Sequence, residues 1–372
     1  MASTCNELLV LCISGRDWSP DLLDRAIAED QGRTLLSGVV EPLADLFDPR
    51  LCEVYERLFR EVIERVCPEL VPRLRRGKTS TLPPVAERVY VLSRVTLGAD
   101  VAVTSVLLDA AKRRYPSAEI VFAGPRKNYE LFKADPRIGH REISYARGGT
   151  LRERLEASAR VWFGDGIVLD PDSRITQLGL LSVCDPDRYF HFESRSIGGD
   201  TDARLPDLAA QWIGDPQARP YVSLRPAVGT PFDLTVSLGV GGNRAKRLND
   251  DREVALLRIL AATGASILVD KGGTTEERAR VECAIQPGMR THDGPFAPFA
   301  AEIARSKLLV GYDSAAGHVA SACGVPLISI GVGFASKTAA DRWRPMGTVI
   351  RGRPKMSMGP IERALATYTF RR

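Results

Sequence analysis

From residue 88 onward, short apolar runs alternate with segments of helical periodicity, and they do so in two series. The first series places strands at 89–92, 119–123, 143–146, 167–170 and 189–192. Its first helix shows an apolar face of Val103, Val106, Leu107, Ala110 and Ala111 and stops at Pro116. The second series places strands at 234–240, 266–270, 308–312 and 326–330, with helices at 250–263, 275–285, 295–305, 315–323 and 360–368. Parallel strands need a long crossover connection, so strict alternation of this kind predicts βαβ units and parallel sheets. Between the series lie Pro216, Pro220, Pro226 and Pro231 with Gly214 and Gly229, a composition that breaks both helix and strand. The expected fold class is α/β. The expected division is a helical extension and linker at 1–84, a first doubly wound domain at 85–214, a linker at 215–232 and a second domain at 233–372. A ligand site is expected where the carboxyl ends of the two sets of strands face each other.

The extension carries helical patterns alone. Leu22, Leu23, Ala26 and Ile27 form one apolar face; Leu51, Val54, Leu58, Val62 and Val66 form another, closed by Pro68 and Pro72. The plain reading is a subdomain packed on the first domain or a homodimer contact, and the sharper one a lid over an acceptor. The basic run Arg73, Arg75, Arg76 and Lys78 reads as a solvated linker before an anionic membrane contact.

Composition excludes several classes. The 7 cysteines are odd in number and contain no Cys-x-x-Cys pair, so reduced thiols are expected rather than a disulfide framework or zinc site. With 4 histidines, no metal centre is expected. A net charge of +5 suits anionic partners, but no basic cluster interleaved with aromatics points to nucleic acid. No apolar run reaches membrane-spanning length, and the start lacks a basic n-region, so a cytoplasmic protein is expected.

Three segments carry chemistry. In 308–318 an apolar strand runs through Asp313 and Ser314 directly into a helix, where unpaired N–H groups and the dipole suit an anion; an ordinary N-cap is the alternative. In 238–247, Gly239, Gly241 and Gly242 follow a strand and precede Arg244, Lys246 and Arg247, which suits phosphate better than a solvated loop, though the spacing is no dinucleotide fingerprint. In 94–101, Asp100 follows the first strand, either as a helix cap or as a general base facing the cleft.

In this order the three segments resemble glycosyltransferase family 9, the bacterial heptosyltransferases of the GT-B fold, over roughly residues 88–352. The resemblance rests on Gly98, Asp100 and Thr104, on the 112–116 Lys-Arg-Arg-Tyr-Pro helix end, on Asp313, Ser314 and His318, on Gly324-Val325-Pro326, and on the 342–347 run Arg-Trp-Arg-Pro-Met-Gly. Departures are Ala99 and Ala315 where the family has glycine, and Val106 where it has proline. The resemblance implies two Rossmann-like domains facing a cleft, and inverting, metal-independent transfer of a sugar from a nucleotide-sugar co-substrate, by default ADP-heptose, with no further cofactor. It makes Asp100 the base. Gly241, Gly242, Lys246, Ser314, Ala315 and Ala316 would hold the diphosphate, and Asp313 the donor sugar, with His318 supporting that turn. Glu276 or Glu277 would hold the ribose, and Gly294, Pro295 and Phe296 the base. Asp170, Asp172, Arg174 and Gln177 fall on the acceptor side, where lipopolysaccharide core or a small natural-product intermediate would bind. The alternatives are a nucleotide-sugar epimerase on the same fold and a binding protein with a vestigial cleft.

Overall fold

The computed structural model describes residues 3–75, 81–146, 148–199, 201–241, 244–334 and 336–370. Two sheets form. The first contains β1 (Arg88–Leu92), β2 (Glu119–Gly124), β3 (Ile138–Glu142), β4 (Ile167–Asp170) and β5 (Tyr189–His191) in the order β3-β2-β1-β4-β5. The second contains β6 (Leu234–Ser237), β7 (Ile267–Asp270), β8 (Arg290–His292), β9 (Leu308–Tyr312), β10 (Leu327–Val332) and β11 (Thr348–Gly352) in the order β11-β10-β9-β6-β7-β8. Every pairing is parallel. Strand order reverses between β1 and β4 in one sheet and between β6 and β9 in the other, which makes both domains doubly wound and marks two crevices for ligand. The fold is α/β of the GT-B type, as expected.

One expected strand is displaced. Residues 143–146 leave the sheet after Ile143 N–H donates to Gly124 O, and the third strand is β3 instead. β3 lies at a sheet edge and reads Ile-Gly-His-Arg-Glu, so backbone pairing rather than an apolar run defines it. The polar edge strands β8 and β11 escape the apolar pattern for the same reason.

The extension is fastened to the first domain. Helix Pro49–Val66 starts on Asp48, whose carboxylate accepts from Arg50 N–H, and Pro49 occupies a first-turn position that needs no donor. It buries Leu51, Tyr55, Leu58, Phe59, Val62 and Ile63 in a core shared with Leu151, Leu155, Leu180 and Leu181. That apolar face, a dimer contact in one reading of the sequence, is covered within the chain. Arg73 and Arg75 are likewise not solvated: Arg73 donates to the carbonyls of Val161 (2.8 Å) and Ser182, and Arg75 to that of Gly179 (2.7 Å). Arg76 and Lys78 lie outside the described residues. No described helix is long and apolar enough to cross a membrane.

The two domains meet through a continuous apolar cluster in which Val101 and Leu107 of the first share a core with Phe299, Ala316 and Val319 of the second. Arg342, 1% exposed, ends helix Lys337–Arg342 and donates to the carbonyls of Gly199 (2.8 Å), Thr201 (2.8 Å) and Ala203 (2.7 Å) in the first domain. Arg342→Leu leaves three carbonyls without their donor, each charge-assisted bond being worth about 1.5–3 kcal/mol. It is expected to lower unfolding free energy by roughly 3 kcal/mol or more, measured by urea titration.

Candidate functional site

A cleft of about 570 Å³ opens where the carboxyl ends of the two sheets face each other. Its walls include the turns after β1, β4, β6, β7 and β9, with Glu41 and Asp45 contributed by the extension.

Strand β9 is fully buried and delivers Asp313 and Ser314 into the cleft. Ser314 is extended (φ −152°, ψ 179°) and caps helix Ala315–Ala322 by position, yet its hydroxyl makes no cap bond and is buried with no hydrogen-bond partner among the described residues. A buried orphan hydroxyl at the positive end of a helix is an acceptor-seeking group. Ala315 and Ala316 bring their first-turn backbone to the same wall. Lys246 Nζ lies 3.1 Å from Asp313 Oδ2, because β6 and β9 are neighbours and their turns emerge side by side. His318 is buried behind the turn, its edge toward the Trp343 ring at 6.0 Å, and burial lowers its pKa below the ordinary value, which keeps it neutral. Gly241 has φ +60° and lines the cleft beside this turn. Gly242 lies outside the described residues.

The turn after β1 closes on this helix start. A Cβ on Gly98 would stand 3.3 Å from Ala315 Cα and 3.2 Å from the His318 ring, so a side chain here would press on the helix start and its neighbours would have to give by a few tenths of an ångström.

The carboxylates expected to take ribose are placed otherwise. Glu277 is inward but occupied: its Oε1 accepts from Val240 and Gly241 N–H (2.8 and 2.9 Å), and its Oε2 from Gly273 and Thr274 N–H (3.0 and 3.3 Å). Four donors fill the acceptor capacity of a carboxylate. Glu277 is therefore a strap between two loops, set by a capping box with Thr274. Glu276 points out of the cleft into a separate depression. Phe296 lines the cleft, while Pro295 faces a groove beside the interdomain linker and Gly294 (φ +153°) turns the chain between them and β8. A group not singled out from the sequence does line the cleft: Asp270, at the end of β7 and 9% exposed. Burial pushes its carboxyl up to about 6, against the lowering influence of His292.

Asp100 does not face the cleft. It is fully buried, with one oxygen accepting from Arg94 N–H (2.6 Å) and the Thr104 hydroxyl (2.7 Å) and the other from the Ser93 hydroxyl (2.6 Å) and the Asn128 side-chain amide (2.5 Å). Burial raises its pKa against those hydrogen bonds. It sits in a π-helical turn, Asp100–Thr104, that turns the carboxylate back under the β1 turn and so fixes Arg94. The structure therefore does not bring the carboxylate expected as the base to the cleft surface: each oxygen already accepts two hydrogen bonds.

On the acceptor side, Asp170 is also sealed, bonded by Ser173 N–H (2.6 Å) and by the hydroxyls of Thr176 and Tyr189 (both 2.5 Å). Gln177 is buried away from the cleft, its side-chain amide donating to the Ser158 hydroxyl and its backbone carbonyl accepting from the Tyr55 hydroxyl. Asp172 and Arg174 do line the cleft. Asp172, at φ +71°, stands 2.6 Å from Arg195 and accepts from Ser194 (2.9 Å). Burial opposes its charge, but Arg195 and then His191 prevail and hold it well below the usual carboxylate range. Arg174 pairs with Glu41 at 2.8 Å, so the extension reaches the acceptor wall. Arg94 stacks over Trp343, and burial, with neighbouring Arg195, lowers its guanidinium to about 10.

No protein-family model and no curated protein sequence matches this chain. Solved structures do. The chain is similar to a glycosyl transferase family 9 structure from Veillonella parvula at TM-score 0.53 and 15% identity, over 79% of this chain and 94% of that one. It is similar to E. coli heptosyltransferase WaaC with ADP-2-deoxy-2-fluoro heptose (TM-score 0.53, 14% identity, 75% and 99% covered). It is also similar to E. coli ADP-heptose lps heptosyltransferase II (0.53, 14%, 75% and 98%). At such identities the likeness is one of fold, and it agrees with the resemblance read from the residues.

The raised Asp270 pKa makes a stability prediction. Between about pH 4 and pH 6 the folded chain holds a proton there that the unfolded chain has lost, so this group's contribution is complete below pH 4 and lost by pH 7. Asp270→Asn cannot lose it. Urea titrations are expected to show the variant gaining roughly 2–3 kcal/mol on wild type between pH 4 and pH 7.

Proposed function

We propose that this protein is a glycosyltransferase of the heptosyltransferase type, which moves a sugar from a nucleoside-diphosphate donor held by the second domain to a hydroxyl or amine held by the first. The observation that carries the reading is the turn after β9: an orphan Ser314 hydroxyl, a free helix start and Lys246 converge on one point of the cleft wall. Charge develops on a departing diphosphate, and fixed donors aimed at it lower the barrier. Lys246 Nζ, now on Asp313, and the N–H groups at Ala315 and Ala316 would receive that charge without a divalent cation, and Asp313 would turn to the donor sugar. Attack from the opposite face inverts the anomeric carbon. The similar E. coli structures named for ADP-heptose make an ADP-activated heptose the donor we assign.

The acceptor proton needs a carboxylate open to the cleft. Of those on the acceptor side, Asp172 is held by Arg195 and Glu41 by Arg174. Asp45, on the extension, is exposed and has no hydrogen bond or ion pair among the described residues, and we assign it the base. In the step, the acceptor O–H proton passes to Asp45, the new C–O bond forms at the anomeric carbon, and the nucleoside diphosphate leaves with the electron pair of the old one. The acceptor, a lipopolysaccharide core sugar or a small hydroxylated molecule, is expected beside Arg174 and Asp172.

A thermal-shift screen against ADP-, GDP-, UDP- and TDP-sugars tests the donor reading, since a ligand of the folded state raises Tm by mass action. ADP-heptose is expected to give the largest shift, and no shift with any of the four would overturn the reading. Lys246→Ala is expected to weaken donor binding at least tenfold by calorimetry. Asp45→Asn should cut kcat by about a hundredfold or more, leaving donor affinity unchanged. If instead Asp100→Asn removes turnover at unchanged stability while Asp45→Asn does not, the base is Asp100.

A further inference from the structure

We infer that Asp270 is the residue that reads the donor's ribose, accepting hydrogen bonds from its 2′- and 3′-hydroxyls, so that the cleft selects a ribonucleotide over a deoxyribonucleotide. The inference rests on the donor reading above and assigns a contact that reading lacks. Glu277 has no acceptor capacity left and Glu276 lies outside the cleft, which leaves ribose without a carboxylate at either expected position.

Asp270 supplies one by its place in the sheet. It ends β7, the strand that follows the glycine turn and first crossover helix of the second domain, and is in register with Ser237 at the end of β6 and with His292 at the end of β8. In doubly wound nucleotide-binding domains the acidic side chain at the end of the second strand meets the ribose while the first turn meets the phosphates. Here that first turn is at Gly239–Gly241, where a Cβ on Gly239 would come within 4.0 Å of Gly272 Cα, so the phosphate turn and the Asp270 loop lie side by side. Phe296 lines the same end of the cleft, as a flat apolar surface for a base.

The second observation is that Asp270 is incompletely satisfied. Nine-tenths buried and facing the cleft, it receives no side-chain hydrogen bond among the described residues; only the backbone N–H of Gly272 and the charge of His292 support it. Its elevated pKa is what such isolation produces. A vicinal diol offers two O–H donors at the spacing of two carboxylate oxygens and would relieve it. A carboxylate that is buried, underbonded and cleft-facing is one whose partner arrives with a ligand.

Calorimetry with ADP and 2′-deoxy-ADP at pH 7.5, on wild type and Asp270→Asn, tests this. Wild type is expected to bind 2′-deoxy-ADP at least tenfold more weakly than ADP. The variant is expected to bind ADP at least tenfold more weakly than wild type, with its preference for ADP over 2′-deoxy-ADP reduced toward one. Equal wild-type affinity for the two nucleotides overturns the inference and needs no variant. An Asp270→Asn protein that binds ADP as wild type does, or keeps the full preference, also overturns it while leaving the donor reading intact; a loss of ADP binding with no wild-type preference would place the contact on the base. If wild type binds none of ADP, GDP and UDP, the donor reading itself falls and this assignment with it.

Discussion

Arg342 leaves the second domain and ends among three carbonyl oxygens of the first, at Gly199, Thr201 and Ala203. A guanidinium presents a rigid fork of donors, and with its charge buried it tolerates little displacement. The two sheets are thereby held at one separation, and the width of the cleft follows from it. Trp343, the next residue, takes up contacts from every module: Phe47 of the extension packs edge-on at 6.4 Å, His318 of the donor helix at 6.0 Å, and Arg94 of the first domain lies over its face. One pair of adjacent residues thus sets where the acceptor arginine, the donor turn and the extension stand relative to each other.

Around that pair the cleft divides by charge. The donor wall carries Lys246 and a helix start, a modest positive field aimed at one point. The acceptor wall crowds Arg94, Arg174 and Arg195 together with Asp172 and Glu41, and burial, then the cationic neighbour Arg195, oppose the charge on Arg94. Asp100 lies behind this wall: its carboxylate accepts from the Arg94 N–H, and the Arg94 guanidinium in turn donates to Ser194 at 2.7 Å and to the Pro171 carbonyl.

Legibility in the sequence followed burial. β4 and β9 are central strands, apolar on both faces, and appear as unbroken apolar runs to the residue. β3, β8 and β11 are edge or near-edge strands with polar side chains, and pairing alone defines them. Asp313, Ser314 and Lys246 were legible because a strand end followed by small residues or glycines leaves few places for the next side chains to go. Asp100 was legible as a carboxylate following β1 but not in its burial, since one of the groups that closes over it, Asn128, comes from 28 residues away. Glu277 was open to a better reading: Thr274 three residues before it is a capping-box pattern, which turns the carboxylate back onto the backbone. Asp270 carries no local motif; only the strand order that sets β7 beside β6 gives it meaning.

The contact between Gly98 and the first residue of the donor helix has a mechanical side. Gly98 has no side chain, and a Cβ placed there would meet the backbone Cα and N of Ala315 at 3.3 Å and the His318 ring at 3.2 Å. A single added methyl at this point would wedge the β1 turn off the start of the donor helix, so the closeness of the two domains here rests on an absent side chain and on no polar group.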